Sequence, residues 1–412
     1  LTELNLALAL IGGSILIKGL LARPLNRSIF SLPLLAFAVG VLAGPVAGLL
    51  HPAQWGDDMR LLEEAARLTL GISLMGIALR LPRRYIFVHA RSLLVLLCIG
   101  MPLMWLVSAG LSWGLLEIAL LPALMLGASV CATDPVVASS IVTGGVAHEN
   151  LPGRFRHTLS SESALNDGLA LPLVMLPILL LSKDASAAWT EWLIQVIGWK
   201  VIGAVVFGAV VGLLAGWGLR FAERRDYIDQ PSFLVMTLTL TLFTLGLGKL
   251  LGLDSILAVF VAGVAFDQEV GGKERAEEAN IQEAINLFFT LPVFMLFGLM
   301  IPWSDWSELG WRGLGLVLAV LALRRIPVIL LLRPMIGRWR DLKMALLAGW
   351  FGPIGVSALF YAALVHRETG NEQVWVVASL LVAASLVAHG VTAAPVAKTW
   401  GRRFGKPGDQ DQ

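Results

Sequence analysis

The sequence predicts an all-α integral membrane protein of about 13 transmembrane helices, built as two inverted-topology repeats whose fifth and twelfth spans are broken and cross. Three observations carry this expectation. Of 412 residues, 57% are apolar and 15% charged, against about 45–50% and about 25% in soluble domains. Apolar runs near the roughly 20 residues that cross a bilayer recur from end to end. Lys and Arg are dense in every second segment between runs, the asymmetry of loops that alternate between membrane faces.

Hydropathy and polar breaks place spans near 3–22, 31–50, 61–80, 91–113, 117–143, 155–181 and 192–220, then near 231–250, 254–267, 282–301, 311–332, 343–365 and 374–397. The ninth is short for a full crossing, and is expected to tilt or to run on into the polar stretch after it. That stretch, Asp267 to Glu283, mixes charge signs and reads as a solvated surface helix. An odd number of spans puts the termini on opposite sides. With the C-terminus inside, 22 of the 31 Lys and Arg fall on the cytoplasmic side, and Arg324 and Arg325 lie within span eleven. No cleavable signal is expected, since Lys18 ends the first run with no small-residue cleavage site after it. The net charge of +2 argues against a nucleic-acid partner. Cys98 and Cys131 both lie in apolar runs and read as small buried hydrophobes.

An ionisable side chain at the bilayer centre costs about 2.5–3.5 kcal/mol even on a lenient insertion scale, so each one marks a functional site. In span five, Cys131-Ala-Thr-Asp-Pro135 should break the helix, because Pro135 removes a donor and disfavours helical geometry at Asp134. Thr133 and Asp134 can then reach the freed backbone groups. In span six, Glu162 and Asn166 share one helical face, while Ser163 and Asp167 share the adjacent one. A hydroxyl beside a carboxylate suits a dehydrated hard cation; a carboxylate beside an amide suits holding a partner. Arg324 and Arg325 point about 100° apart on a helix, so only one need face inward, with Glu162 as its counter-ion.

In span twelve, Gly352, Pro353 and Gly355 should unwind the chain. Spans five and twelve are each fifth in a half of six around span seven, and the halves start on opposite sides. Matching interruptions of that kind point to a transporter's mid-membrane site. Crossed broken helices bring two positive N-termini and two negative C-termini together, and Asp134 would neutralise the positive ends.

Thr133-Asp134-Pro135, Glu162-Ser-x-x-Asn-Asp167-Gly, Arg324 with Val328 four residues on, and Ser385-Leu-Val-x-x-Gly-Val-Thr392 resemble the monovalent cation/proton antiporter-1 family, the NhaP-type sodium/proton exchangers. The resemblance runs over nearly the whole chain in order. It implies an NhaA-like antiporter fold and a homodimer. The dimerisation part would be about 1–85 and 231–301, the linker helix about 192–220, the moving core about 91–181 and 311–397, and the cytoplasmic tail 398–412. It also implies electroneutral exchange, which goes with Asn166 where electrogenic relatives carry a second aspartate, and selects Arg324 for the ion pair. Gly352-Pro-Ile-Gly355 departs from the Gly-Leu-Arg-Gly of animal and NhaP-type proteins and looks like the fungal plasma-membrane sodium/potassium exporters.

The expected function is therefore exchange of Na⁺, or K⁺ or Li⁺, for H⁺, with Asp167 as the shared carrier and no cofactor. Ser163, Thr133 and freed carbonyls of span five would complete the cation shell. Glu162, Asn166 and Arg324 would form a buried network. The expected location is a plasma membrane, that of a bacterial inner membrane, with the N-terminus outside. The alternatives weighed are a solute symporter or channel on the same scaffold and an intramembrane aspartyl protease, whose Tyr-Asp and Gly-x-Gly-Asp contexts are absent.

Overall fold

The computed structural model describes residues 2–21, 30–134, 137, 145–227, 233–269 and 275–404, and contains no strand among them. The first helices are α1 (Thr2–Leu20), α2 (Leu32–Val41, running on as a π-turn over Leu42–Val46), α3 (Asp58–Arg80) and α4 (Ala90–Leu116). Next come α5 (Leu120–Ser129), α6 (Gly145–Asn150), α7 (Gly153–Ser182) and α8 (Ala185–Arg224). The remainder are α9 (Phe233–Leu250), α10 (Ser255–Glu269), α11 (Arg275–Leu299), α12 (Trp303–Leu323), α13 (Ile326–Leu332), α14 (Leu342–Trp350), α15 (Val356–Thr369) and α16 (Glu372–Phe404).

Side-chain caps set several starts: Ser31 accepts from Leu34 N–H, Asp57 from Arg60 N–H, Asp254 from Leu257 N–H and Asp341 from Met344 N–H. Each satisfies a donor that the first helical turn leaves free. α7 lies at the centre, against α5, α15, α10 and α3. α8 runs along α10 with Gly208, Gly212 and Gly216 facing it, where any side chain would strike Ala258 O, Ala262 O or Glu269. Small residues at every fourth position let two backbones approach this closely. Among the described residues, six helices are long and apolar enough to cross a membrane. Leu8, Leu16 and Leu20 of α1 and Val206, Leu214 and Trp217 of α8 project outward, an apolar exterior on a scale that water-soluble monomers do not carry.

Several expectations are corrected. Cys98 is exposed on the apolar outer face of α4, whereas Cys131 is buried. The polar stretch after span nine is not solvated from its start: α10 runs on to Glu269, and Asp267 within it is only 4% exposed. From Arg275 the chain already belongs to α11. Span five unwinds directly after Ser129, so Cys131 to Asp134 lie in the break as expected; Pro135 itself lies outside the described residues. Span eleven is interrupted between α12 and α13, at Arg324 and Arg325. Pro327, at the start of α13, has no N–H to give to the preceding turn.

Candidate functional site

α5 and α14 each end in an unwound stretch, 130–134 and 351–355, and these two stretches cross. At the crossing, Asp134 N–H donates to Pro353 O at 2.9 Å, and Val356 N–H donates to Asp134 Oδ2 at 2.6 Å. Asp134 thereby bonds the first turn of α15 and places a carboxylate at its positive end. Ile354 N–H donates to Ser385 Oγ at 2.8 Å from α16. Contacts this close admit no side chain at two positions. A Cβ on Gly355 would occupy the place of the Asp134 carboxylate, and one on Gly352 would strike the Arg325 side chain.

The negative ends are met by Arg324. Its Nη1 donates to Val130 O at 2.7 Å and to Cys131 O and Ala132 O at 3.2 Å, and its Nη2 donates to Gly352 O. One guanidinium thus serves both unwound stretches, beyond the C-terminal ends of α5 and α14, where a cation is favoured. Arg325 takes the role expected of Arg324. It forms a bidentate pair with Glu162, both bonds 2.6 Å, and its Nε donates to Ala348 O at 3.0 Å. The two arginines are 3% and 2% exposed, so both face inward. The 100° argument fails because the helix is interrupted here and protein surrounds it on more than one side.

Asn166 is likewise not in the ion pair. Its Nδ2 donates to Thr133 Oγ1 at 2.9 Å, and its Oδ1 accepts from Thr133 N–H at 3.2 Å. Thr133 Oγ1 also lies 3.0 Å from Ser163 Oγ. The neighbouring serines behave differently: Ser160 and Ser161 donate to the carbonyls of Arg156 and His157 one turn back. Only Ser163 of the three reaches across to the unwound stretch.

Asp167, at the midpoint of α7, is buried, and its Oδ1 has no hydrogen-bond partner among the described residues. Ser357, in the first turn of α15, lies beside it, and Ser357 Oγ is also buried with no well-formed hydrogen bond among the described residues. Tyr361, one turn further along α15, donates to Asp167 O at 2.6 Å. Hydrogen bonds therefore join Thr133, Asn166 and Ser163, Asp167 lies one helical turn along α7 from Ser163, and Glu162–Arg325 and Arg324 form separate charge clamps.

Sequence reasoning missed Ser357, Tyr361 and His389. His389 bridges the break in span twelve, with Nε2 2.9 Å from Trp350 O and Nδ1 3.1 Å from Ser385 Oγ. Its spacing of four from Ser385 was the available signal.

A family described as the transmembrane sodium/hydrogen exchangers matches residues 8–399. The chain is 35% identical over 421 residues to a protein of Schizosaccharomyces pombe named a probable Na⁺/H⁺ antiporter, covering 94% of this chain and 55% of that one. It is 33% identical over 395 residues to Na⁺/H⁺ antiporter 2 of Zygosaccharomyces rouxii, covering 88% and 49%. The chain thus spans about half the length of these fungal relatives. Among solved structures, the sodium proton antiporter MjNhaP1 of Methanocaldococcus jannaschii superposes with a TM-score of 0.72 at 17% identity, covering 97% of each chain. That likeness is one of fold.

Proposed function

Because this chain belongs to the transmembrane sodium/hydrogen exchanger family, we propose that it is a secondary antiporter, exchanging Na⁺, or K⁺ or Li⁺, for protons at Asp167. A member of this family with six helices long and apolar enough to span among its described residues is a multi-pass membrane protein. The observation that carries the reading is the Asp167 carboxyl. It is buried with Oδ1 unpartnered, while Glu162, Arg325, Arg324 and Asp134 around it are bonded.

In this mechanism the Asp167 carboxylate binds the cation, with Ser163 and Thr133 as oxygen ligands, and a proton taken up at the same carboxyl releases it. Only the cation-loaded and the protonated forms cross, which couples the two flows. Asp134 and Arg324 stay charged throughout, balancing the half-helix ends. Asn166 spends its amide on Thr133, which suits one-for-one exchange. The wider arrangement belongs to the same proposal. About 13 spans form inverted repeats, with a dimerisation part at 1–85 and 231–301, a linker at 192–220 and a moving core at 91–181 and 311–397. The protein would work as a homodimer in a plasma membrane, N-terminus outside, without a cofactor.

Acid-loaded proteoliposomes test this. Adding Na⁺, K⁺ or Li⁺ should drive proton efflux in the wild type, and Asp167→Asn should abolish it while leaving the protein folded. Retained cation-driven flux in Asp167→Asn would overturn the assignment. Competition at one carboxyl also requires the apparent KM for the cation to fall as pH rises, by up to about tenfold per pH unit on the acid side. A KM independent of pH would mean separate sites.

A further inference from the structure

Ser357 Oγ is buried with no well-formed hydrogen bond among the described residues. Several buried serines in these helices donate to the carbonyl one turn back: Ser108 to Met104 O, Ser112 to Ser108 O, Ser129 to Met125 O and Ser160 to Arg156 O, although Ser73 of α3, like Ser357, does not. For Ser357 that acceptor would be Pro353 O. Pro353, however, lies in the unwound stretch ahead of α15, so the helical geometry that places a carbonyl one turn back is lacking there. The break in span twelve therefore leaves Ser357 Oγ fully buried and without a well-formed hydrogen bond among the described residues. An orphaned buried hydroxyl is costly, and natural cores keep few of them. This one sits beside the other orphan of the site, Asp167 Oδ1. The Ser357 hydroxyl is within reach of the Asp167 carboxyl, yet no well-formed hydrogen bond joins the two orphaned oxygens, and each is an oxygen that a small hard cation accepts as a ligand.

Resting on the antiport reading above, we infer that Ser357 is a ligand of the transported cation, which sits between the Asp167 carboxylate and the Ser357 hydroxyl. The cation then touches both halves of the site, Ser163 and Asp167 from α7 and Ser357 from α15. The protonated form of Asp167 needs no such ligand, so the hydroxyl acts on the cation and not on the proton. Li⁺ and Na⁺ give up more hydration than K⁺ on entering the site, so they depend more on each oxygen supplied in its place.

The test uses the full chain, purified and reconstituted, as wild type, Ser357→Ala, Ser357→Cys and Asp167→Asn. Two quantities are read for Li⁺, Na⁺ and K⁺: cation-induced thermal stabilisation, which follows binding by mass action, and the apparent KM for cation-driven proton flux. Ser357→Ala should weaken Na⁺ and Li⁺ by about tenfold in both, the scale of one lost contact to a charged group, and K⁺ by less. Its melting temperature without cation should hold or rise, because an unpaired hydroxyl is gone; a merely structural serine would lower it. Ser357→Cys, close in size but a poor ligand for hard cations, should show the same weakening. Wild-type affinity for all three cations in either serine variant overturns the inference and leaves the antiport reading standing. Cation stabilisation and flux that persist in Asp167→Asn overturn the antiport reading, and this inference with it.

Discussion

Glu162 and Arg325 sit in the interior at 1% and 2% side-chain exposure, joined by two 2.6 Å hydrogen bonds. Removing one partner of such a pair strands the other charge and costs about 3–5 kcal/mol. Glu162→Gln and Arg325→Met should each lower the melting temperature sharply, and the double variant should recover part of the loss. Asp167→Asn should not lower it, since that carboxyl has an unpaired oxygen to lose. Thermal melts of the purified variants check all four. A Glu162→Gln protein of normal stability with altered cation affinity would instead make Glu162 a ligand. The carboxylate was legible in the sequence, because a glutamate in an apolar run must find a cation. Its partner was not: adjacent arginines look alike until the break that turns both inward is seen.

The crossed pair of unwound stretches is held from outside the helices that form it. Arg324 bonds the carbonyls of Val130, Cys131 and Ala132 after α5 and that of Gly352 after α14. Without it, four buried acceptors lose a charged donor, and unpaired buried acceptors cost about 1–3 kcal/mol each before any water enters. Arg324→Gln should therefore lower stability by at least about 2 kcal/mol and slow exchange at saturating cation. Arg324→Lys should rescue little, because a compact ammonium cannot fork between two stretches. Melting curves and maximal flux in proteoliposomes measure both effects. Gly352, Pro353 and Gly355 announced the break in span twelve by composition alone. The break in span eleven had only Pro327 as a signal, inside a run that reads as a continuous apolar helix.

Across the whole molecule, α3 is packed on α10 and α11 on one side and on α15 on the other. In the proposed division, α3 belongs to the dimerisation part and α15 to the moving core, so their contact is a sliding surface. One ion pair crosses it. Arg367 Nε lies 2.8 Å from Glu63 Oε2, with a second bond of 3.2 Å from Nη2 to Glu63 Oε1. Arg367 is 38% exposed while Glu63 is 6% exposed, so solvent screening limits the pair to about 1 kcal/mol. Arg367→Ala should lower stability by about that much and raise hydrogen exchange at the start of α3 and the end of α15. No change in exchange there would mean that the pair does not tie these ends together.

The amino-acid sequence by itself determined that the chain lives in a bilayer, roughly where its helices run, and that Asp134, Glu162 and Asp167 are charges set among apolar residues. Hydrocarbon permits so few buried charges that each can be read locally. Only the tertiary structure decided which groups those charges meet: Arg325 for Glu162, Arg324 for the broken-helix carbonyls, Thr133 for Asn166, and Ser357 beside Asp167. Those partners come from residues up to two hundred positions away along the chain. The unwound backbone that brings them together has no helical period from which a facing residue can be read.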